Sequence, residues 1–203
     1  MMTKIKFCGL TRACDIEAAN ELKPDYIGFV FWSRSKRYVT RKKALELKKL
    51  LDPSIAAVGV FVDEDIDVVK AYLNDGIIDI AQLHGHEDEE YIRSVKEDTG
   101  RKVIKAFKIT SYEKLAEANR SSADYVLLDA GMGDGVTFDW SVVKNAEREY
   151  FLAGGLHPGN VAEAVKMLHP FAVDVSSGIE TEGMKDKVKM VSFADAVRKE
   201  DNT

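Results

Sequence analysis

Cysteine is scarce in this chain: two in 203 residues, Cys8 and Cys14. A spacing of that kind, with no histidine alongside, makes neither a disulfide framework nor a zinc-ligand pattern. Histidine is almost as scarce, at four. Three of these (His86, His157 and His169) fall in loop or helix contexts, so no metal cluster is expected. No apolar run approaches the ~18 residues of a membrane span, and the apolar stretch near the N-terminus is too short for a secretory signal. A cytoplasmic protein is the expectation. The nucleotide-binding glycine patterns are missing too. The first β-like run leads into Gly9-Leu10-Thr11 rather than G-x-G-x-x-G, and no G-x-x-x-x-G-K-[ST] occurs. Excess positive charge is lacking: the formal net charge is -5, which argues against nucleic acid or an anionic membrane as partner. No stretch is rich enough in Pro, Gly or Ser to be a linker, so residues 1–203 are expected to form a single domain.

What is present is a regular alternation. The composition is 45% hydrophobic and 31% charged, and a chain of this length buries roughly 70% of its unfolded surface without staples. Short β-rich apolar runs stand at Lys4–Cys8, Tyr26–Phe31, Ala56–Phe61, Ile78–Leu83, Lys102–Lys108, Tyr125–Asp129, Tyr150–Ala153 and Ala172–Val175. Most begin roughly 22 to 25 residues after the one before, with a helix-sized interval between them. Thr11, Thr40, Asp65, Asp88 and Ser111 are in place to cap helices in the first five intervals. The sixth interval offers only a short stretch after Asp139 or Ser141. The seventh predicts a helix from Pro158 to Leu168 and the eighth one over about Lys185 to Arg198. Eight such units admit an open doubly wound sheet or a closed barrel. Without a glycine fingerprint after the first strand, the α/β fold expected is a single (β/α)8 TIM barrel.

In a barrel the chemistry gathers where strands end. Cys8, His84, Asp129 and Asp174 all fall at or near such ends. Singly, each has an ordinary explanation: a small buried hydrophobe, a hydrogen-bonded scaffold residue, a loop cap. None of those explanations requires a shared rim. Alternation puts Ile5 and Phe7 on one face of the first strand and Lys4, Lys6 and Cys8 on the other. Lys6 is then expected inside the barrel beneath Cys8, with Gln82 beneath His84, and Lys105 and Asp174 as further inward charges in a Lys–Asp network. Gly154-Gly155 after the seventh strand and Ser176-Ser177-Gly178 after the eighth let backbone N–H groups approach an anion, where barrels commonly bind phosphate. The four positions Gly154, Gly155, Ser176 and Ser177 are the expected phosphate site.

Several segments together resemble one family. Lys6-Phe7-Cys8-Gly9-Leu10-Thr11, Gly28-Phe29-Val30-Phe31, Ser33 to Tyr38, Gln82-Leu83-His84-Gly85, Leu127-Leu128-Asp129, Thr137-Phe138-Asp139-Trp140, Gly154 to Val161 and Asp174 to Glu180 resemble, in order, the motifs of phosphoribosylanthranilate isomerases. The resemblance implies an Amadori rearrangement of a phosphosugar substrate without metal or cofactor, carried out by a monomer or homodimer. It gives Cys8 as general base and Asp129 as general acid, and Arg37, His84 and Asp174 as substrate-binding residues. The chemistry asks for the same types. The acid must hold a proton near neutral pH although free Asp titrates near ~3.9, and Lys6 is expected to favour a Cys8 thiolate. One departure stands out, because Val136 occupies the position of a lysine common in the family's strand-six loop. A histidine-pathway barrel isomerase resembles two fused halves and uses paired aspartates. Here the middle of the chain has no second copy of the Gly-Gly and Ser-Ser-Gly turns. A phosphate-binding barrel without catalysis is the remaining alternative, and a turnover assay separates it.

Overall fold

The computed structural model describes residues 2–129 and 140–201. Eight parallel strands close into a barrel in sequence order: β1 (Lys4–Cys8), β2 (Tyr26–Val30), β3 (Ala56–Phe61), β4 (Ile80–Leu83), β5 (Lys102–Lys108), β6 (Tyr125–Asp129), β7 (Tyr150–Ala153) and β8 (Ala172–Val175). The seam pairs Lys6 with Asp174 and Phe7 with Val175. The helices among the described residues are α1 (Ala13–Leu22), α2 (Arg41–Lys48), α3 (Ile66–Asn74), α4 (Glu89–Thr99), α5 (Tyr112–Arg120), α6 (Val161–Leu168) and α7 (Lys187–Asp201).

Four helices start at the expected caps. The side chains of Thr40, Asp65, Asp88 and Ser111 accept from Lys43, Asp67, Tyr91 and Lys114 N–H groups, each worth ~1 kcal/mol against alanine. The first helix does not open on Thr11. Asp15, inside the first turn, reaches back to accept from the N–H groups of both Thr11 and Arg12 at 2.9 Å. In the sixth unit the described residues hold only a 3-10 turn at Val143–Asn145. The seventh-unit helix starts at Val161 rather than at Pro158, because the turn before it is closed by Asn160 accepting from the His157 N–H at 2.8 Å. Lys185 does not start the last helix either. It lies in a two-stranded hairpin, β9 (Glu180–Thr181) with β10 (Met184–Lys185), turned by Glu182 and Gly183 at φ 52° and 79°. Two positive φ values there are what a type I′ turn demands.

The apolar residues divide by strand parity. Ile5, Phe7, Ile27, Phe29, Val103 and Phe107 face the helices, while Tyr26, Val58, Ile80, Ile104, Leu127 and Phe151 fill the lumen. This division corrects the placing of Lys105. Ile104 and Ala106 hold the inward face of β5, so Lys105 points outward. It donates at 2.7 Å to both Gly85 O and Glu87 Oε2. Glu87 also accepts from the N–H groups of Asp63 and Gly85. The buried pair therefore pins the loop after β4, and with it the strand end carrying His84, rather than joining a lumen network.

Candidate active site

A cavity of about 430 Å³ opens at the C-terminal rim of the barrel, lined by Cys8, Arg37, His84, Asp129, Gly154, Gly155, Asp174, Ser176 and Ser177. All nine positions expected from the sequence thus share one cavity. Val30, Trp32, Val60, Val62 and Gln82 complete much of its wall. Among the described residues no group of three or more His, Cys, Asp and Glu side chains is placed to hold a metal ion. Among them, too, no helix is long and apolar enough to cross a membrane.

The side built on β1 and β8 is densely bonded. Lys6, fully buried, donates to Asp174 Oδ1 at 2.8 Å. Burial alone would discharge Lys6, but Asp174 and Cys8 outweigh it and raise its pKa, so the ammonium persists. Cys8, 8% exposed, packs against Val30 and Val60. Burial pushes its thiol above the ordinary value; Lys6 and Lys185 pull down and Asp174 pushes up. The expected help from Lys6 is present, but burial overrides it, and the resting residue is a thiol. Glycine at position 28 is forced by this packing, since a Cβ there would stand 2.8 Å from the Cys8 sulfur.

Arg37 is held from behind. Its Nε and Nη2 donate to the two oxygens of Glu180 at 2.6 and 2.9 Å, and Lys185 Nζ donates to Glu180 Oε1 at 2.7 Å. Burial opposes the Glu180 charge, yet Arg37 and Lys185 overcome it and lower its pKa to about 2. A planar guanidinium so clamped on one edge keeps its other donors for a second carboxylate. Gly9, at φ 80°, makes room, because a Cβ there would run into Arg37 Cδ. Sequence reasoning gave Glu180 and Lys185 no role. The Glu-Gly turn between them was the available signal for the hairpin that brings both beneath the cavity.

The side built on β4 and β6 is looser. His84 Nε2 lies 3.7 Å from Asp129 Oδ2, with the two side chains 38% and 30% exposed. Gln82, buried beneath, has its amide nitrogen 3.2 Å from His84 Nδ1. At the far wall, Gly154 and Gly155 take φ of 95° and 66°, and the 3-10 turn Ser177–Ile179 follows β8. Gly178 lets the two turns touch, since any Cβ would collide with Leu156 O. Among the described residues, the N–H groups of Gly154, Gly155, Ser176 and Ser177 donate to no other backbone group in the turns and loops. The strand-six loop, including Val136, lies outside the described residues.

A closed parallel barrel with a thiol, a carboxylate and an imidazole converging on one rim defines a (β/α)8-barrel enzyme of the acid–base type. Which one is given by comparison. The model of the N-(5'-phosphoribosyl)anthranilate (PRA) isomerase family matches residues 5–196, and the chain belongs to that family. An N-(5'-phosphoribosyl)anthranilate isomerase of Thermoanaerobacter sp. (strain X514) is 45% identical over 204 residues, covering 97% of this chain and 98% of that one. The crystal structure of phosphoribosyl anthranilate isomerase from Thermotoga maritima superposes with a TM-score of 0.91 at 34% identity, covering 98% of this chain and 100% of that one. A second crystal structure of a phosphoribosyl anthranilate isomerase, in complex with reduced 1-(o-carboxyphenylamino)-1-deoxyribulose 5-phosphate, gives a TM-score of 0.88 at 34% identity, with coverage of 98% and 100%.

Proposed function

We propose that this chain carries out the isomerisation named by its family, the Amadori rearrangement of N-(5-phosphoribosyl)anthranilate in tryptophan biosynthesis, with Asp129 as general acid and Cys8 as general base. The observation carrying this is the placing of a carboxyl on β6 and a thiol on β1 in one cavity, with a cation and an anion-binding turn pair also on its wall. Asp129 gives its proton to the ring oxygen as the C1'–O bond breaks and the anilino nitrogen lone pair forms the C1'=N bond. Cys8, as thiolate, then removes the C2' proton to give the enol. Proton transfer to C1' and loss of the enol proton complete the ketone. Both residues sit where positioned groups can act on a substrate bound between them.

The anthranilate carboxylate is assigned to the free donors of Arg37, and the aromatic ring to the apolar wall of Val30, Trp32, Val60 and Val62. The phosphate is assigned to the main-chain N–H groups of Gly154, Gly155, Ser176 and Ser177. Hydrogen bonds to a charged group are worth ~1.5–3 kcal/mol each, enough in sum to anchor the sugar without a lysine at position 136. Asp174, on the cavity wall, holds Lys6 charged beneath Cys8. His84 faces Asp129. The acidic net charge of -5 and the family's small-molecule reaction support a cytoplasmic enzyme, as monomer or homodimer, whose partner is its small phosphosugar.

Purified protein should convert N-(5-phosphoribosyl)anthranilate, with loss of substrate fluorescence as the readout. Exhaustive EDTA treatment should leave the rate unchanged. No turnover would return the chain to the phosphate-binding alternative, and activity restored only by zinc or iron would reject unaided acid–base chemistry.

A further inference from the structure

Gln82 is 1% exposed and lies on β4 directly below His84. Its amide nitrogen meets His84 Nδ1 at 3.2 Å, while its carbonyl oxygen is buried with no partner among the described residues. In this orientation the amide nitrogen donates, Nδ1 accepts and the ring proton sits on Nε2. That nitrogen is the one 3.7 Å from Asp129 Oδ2. We propose that Gln82 is a positioning residue that fixes the Nε2–H tautomer of His84, aiming a donor at the Asp129 carboxylate left after proton delivery to substrate.

The opposite amide orientation would set the carbonyl against Nδ1 and leave the whole NH2 group unpaired in the buried wall, where the β-sheet neighbours of Gln82 are Val60 and Ile104. An orphaned buried N–H is the rarer defect, and an under-satisfied carbonyl the more tolerable one. The orphaned oxygen is therefore the lesser defect, and what it secures is the tautomer. The consequence for catalysis follows from charge. An N–H 3.7 Å away stands just outside hydrogen-bond reach and is aimed at the oxygen that becomes negative as the acid is spent. The reversed tautomer would present a lone pair there and oppose proton release. Other charges on the described elements around Asp129 are Lys108, its register neighbour on β5, and the Lys6–Asp174 pair with Cys8 across the cavity. All of them are unchanged by a substitution at position 82.

The inference rests on Asp129 being the acid, and nitrogen NMR of the four histidine rings tests it apart from turnover. In the wild-type protein His84 should carry its proton on Nε2, with Nδ1 showing the shift of an unprotonated acceptor. Gln82→Met, similar in volume, should give a mixture of tautomers. It should also lower kcat by about tenfold, less than the ~10²-fold expected for loss of the acid itself, with KM nearly unchanged and the acid-dependent limb of the kcat profile displaced. Should that variant fail to fold, Gln82→Glu keeps the shape and places an acceptor against Nδ1, which should draw a proton onto that nitrogen. A wild-type His84 protonated on Nδ1, or a ring state and pH profile indifferent to both substitutions, would overturn the proposal. A wild-type protein with no turnover would strike the reaction assigned above, while the ring measurement would still decide the tautomer.

Discussion

Around β1 and β8 the cavity wall is bonded before any substrate arrives: Lys6 to Asp174 at 2.8 Å, Arg37 to Glu180 at 2.6 and 2.9 Å, Lys185 to Glu180 at 2.7 Å. Around β4 and β6, His84 stands 3.7 Å from Asp129, and the two side chains are 38% and 30% exposed. The Cys8 side is thus preorganised and dry, and its cost is visible as a thiol held above its ordinary pKa by burial. The Asp129 side is open. In the proposed role Asp129 delivers a proton near neutral pH, and covering of its partly exposed carboxyl by substrate would favour the protonated form. The difference teaches that, in the reaction proposed for this cavity, the Cys8 half is prepared by folding and the Asp129 half is left for substrate binding to complete.

The sharpest way to break the comparison is to remove its two poles. Cys8→Ala and Asp129→Ala should each lower turnover by about 10²-fold or more while circular dichroism stays native. Near-normal kinetics in either folded variant would remove that residue from its role. Cys14, exposed on α1, provides the control, since Cys14→Ser should retain full activity. The next test concerns timing. Because burial raises the Cys8 thiol, the base is active only when deprotonated, and kcat/KM should keep rising with pH beyond the ordinary thiol value of ~8.5. A plateau already reached at neutral pH would show a thiolate formed in the free enzyme, against the preorganised-thiol picture.

The anion wall offers a smaller effect with a built-in contrast. Gly155 sits at φ 66° with open space where a Cβ would project, so Gly155→Val adds both strain and bulk on the cavity side and should raise KM about tenfold or more, one charged hydrogen bond's worth. Ser177→Ala, which leaves the main-chain donor intact, should change KM little; equal losses in the two variants would mean that side chains hold the phosphate.

The smallest effect sharpens the base side alone. Glu180, lowered to about 2 by Arg37 and Lys185 against its burial, adds stability that is complete above the ordinary Glu value of ~4.3. That contribution is lost as pH falls from there towards about 2. Glu180→Gln should therefore melt lower than wild type at pH ~7, with the gap closing in acid, and should raise KM by freeing Arg37 while sparing kcat. A stability gap that stays constant with pH would show that the clamp is not ionic in origin.

Much of this was readable in the chain. β1 and β3 coincide with the predicted runs from end to end, and Thr40, Asp65, Asp88 and Ser111 cap where their side chains predict. Period-two alternation placed Lys6 under Cys8 and Gln82 under His84 correctly. The same reasoning failed for Lys105, because a lysine on a barrel strand was taken to need a lumen partner. Its partner, Glu87, lies outside the barrel in the following loop. Lys185 lies in a hairpin rather than at the start of a helix: Lys-Asp-Lys-Val reads smoothly on into α7, and only the Glu182-Gly183 turn signals the hairpin in which Glu180 holds Lys185.

By itself the sequence determined the repeating strand–helix order, the inward and outward faces of β1 and β4, the rim residues and the positive-φ glycines after β7. These follow from periodicity and from backbone angles that few other residues adopt. Tertiary structure alone decided that β8 closes on β1 to bond Lys6 to Asp174, that burial outweighs Lys6 at the Cys8 sulfur, that Glu180 clamps Arg37, and that His84 Nε2 comes within 3.7 Å of Asp129. Lys6 meets Asp174 and Arg37 meets Glu180 across more than a hundred residues of chain, and the loss of water on burial is set by the closed fold, so no local pattern encodes either.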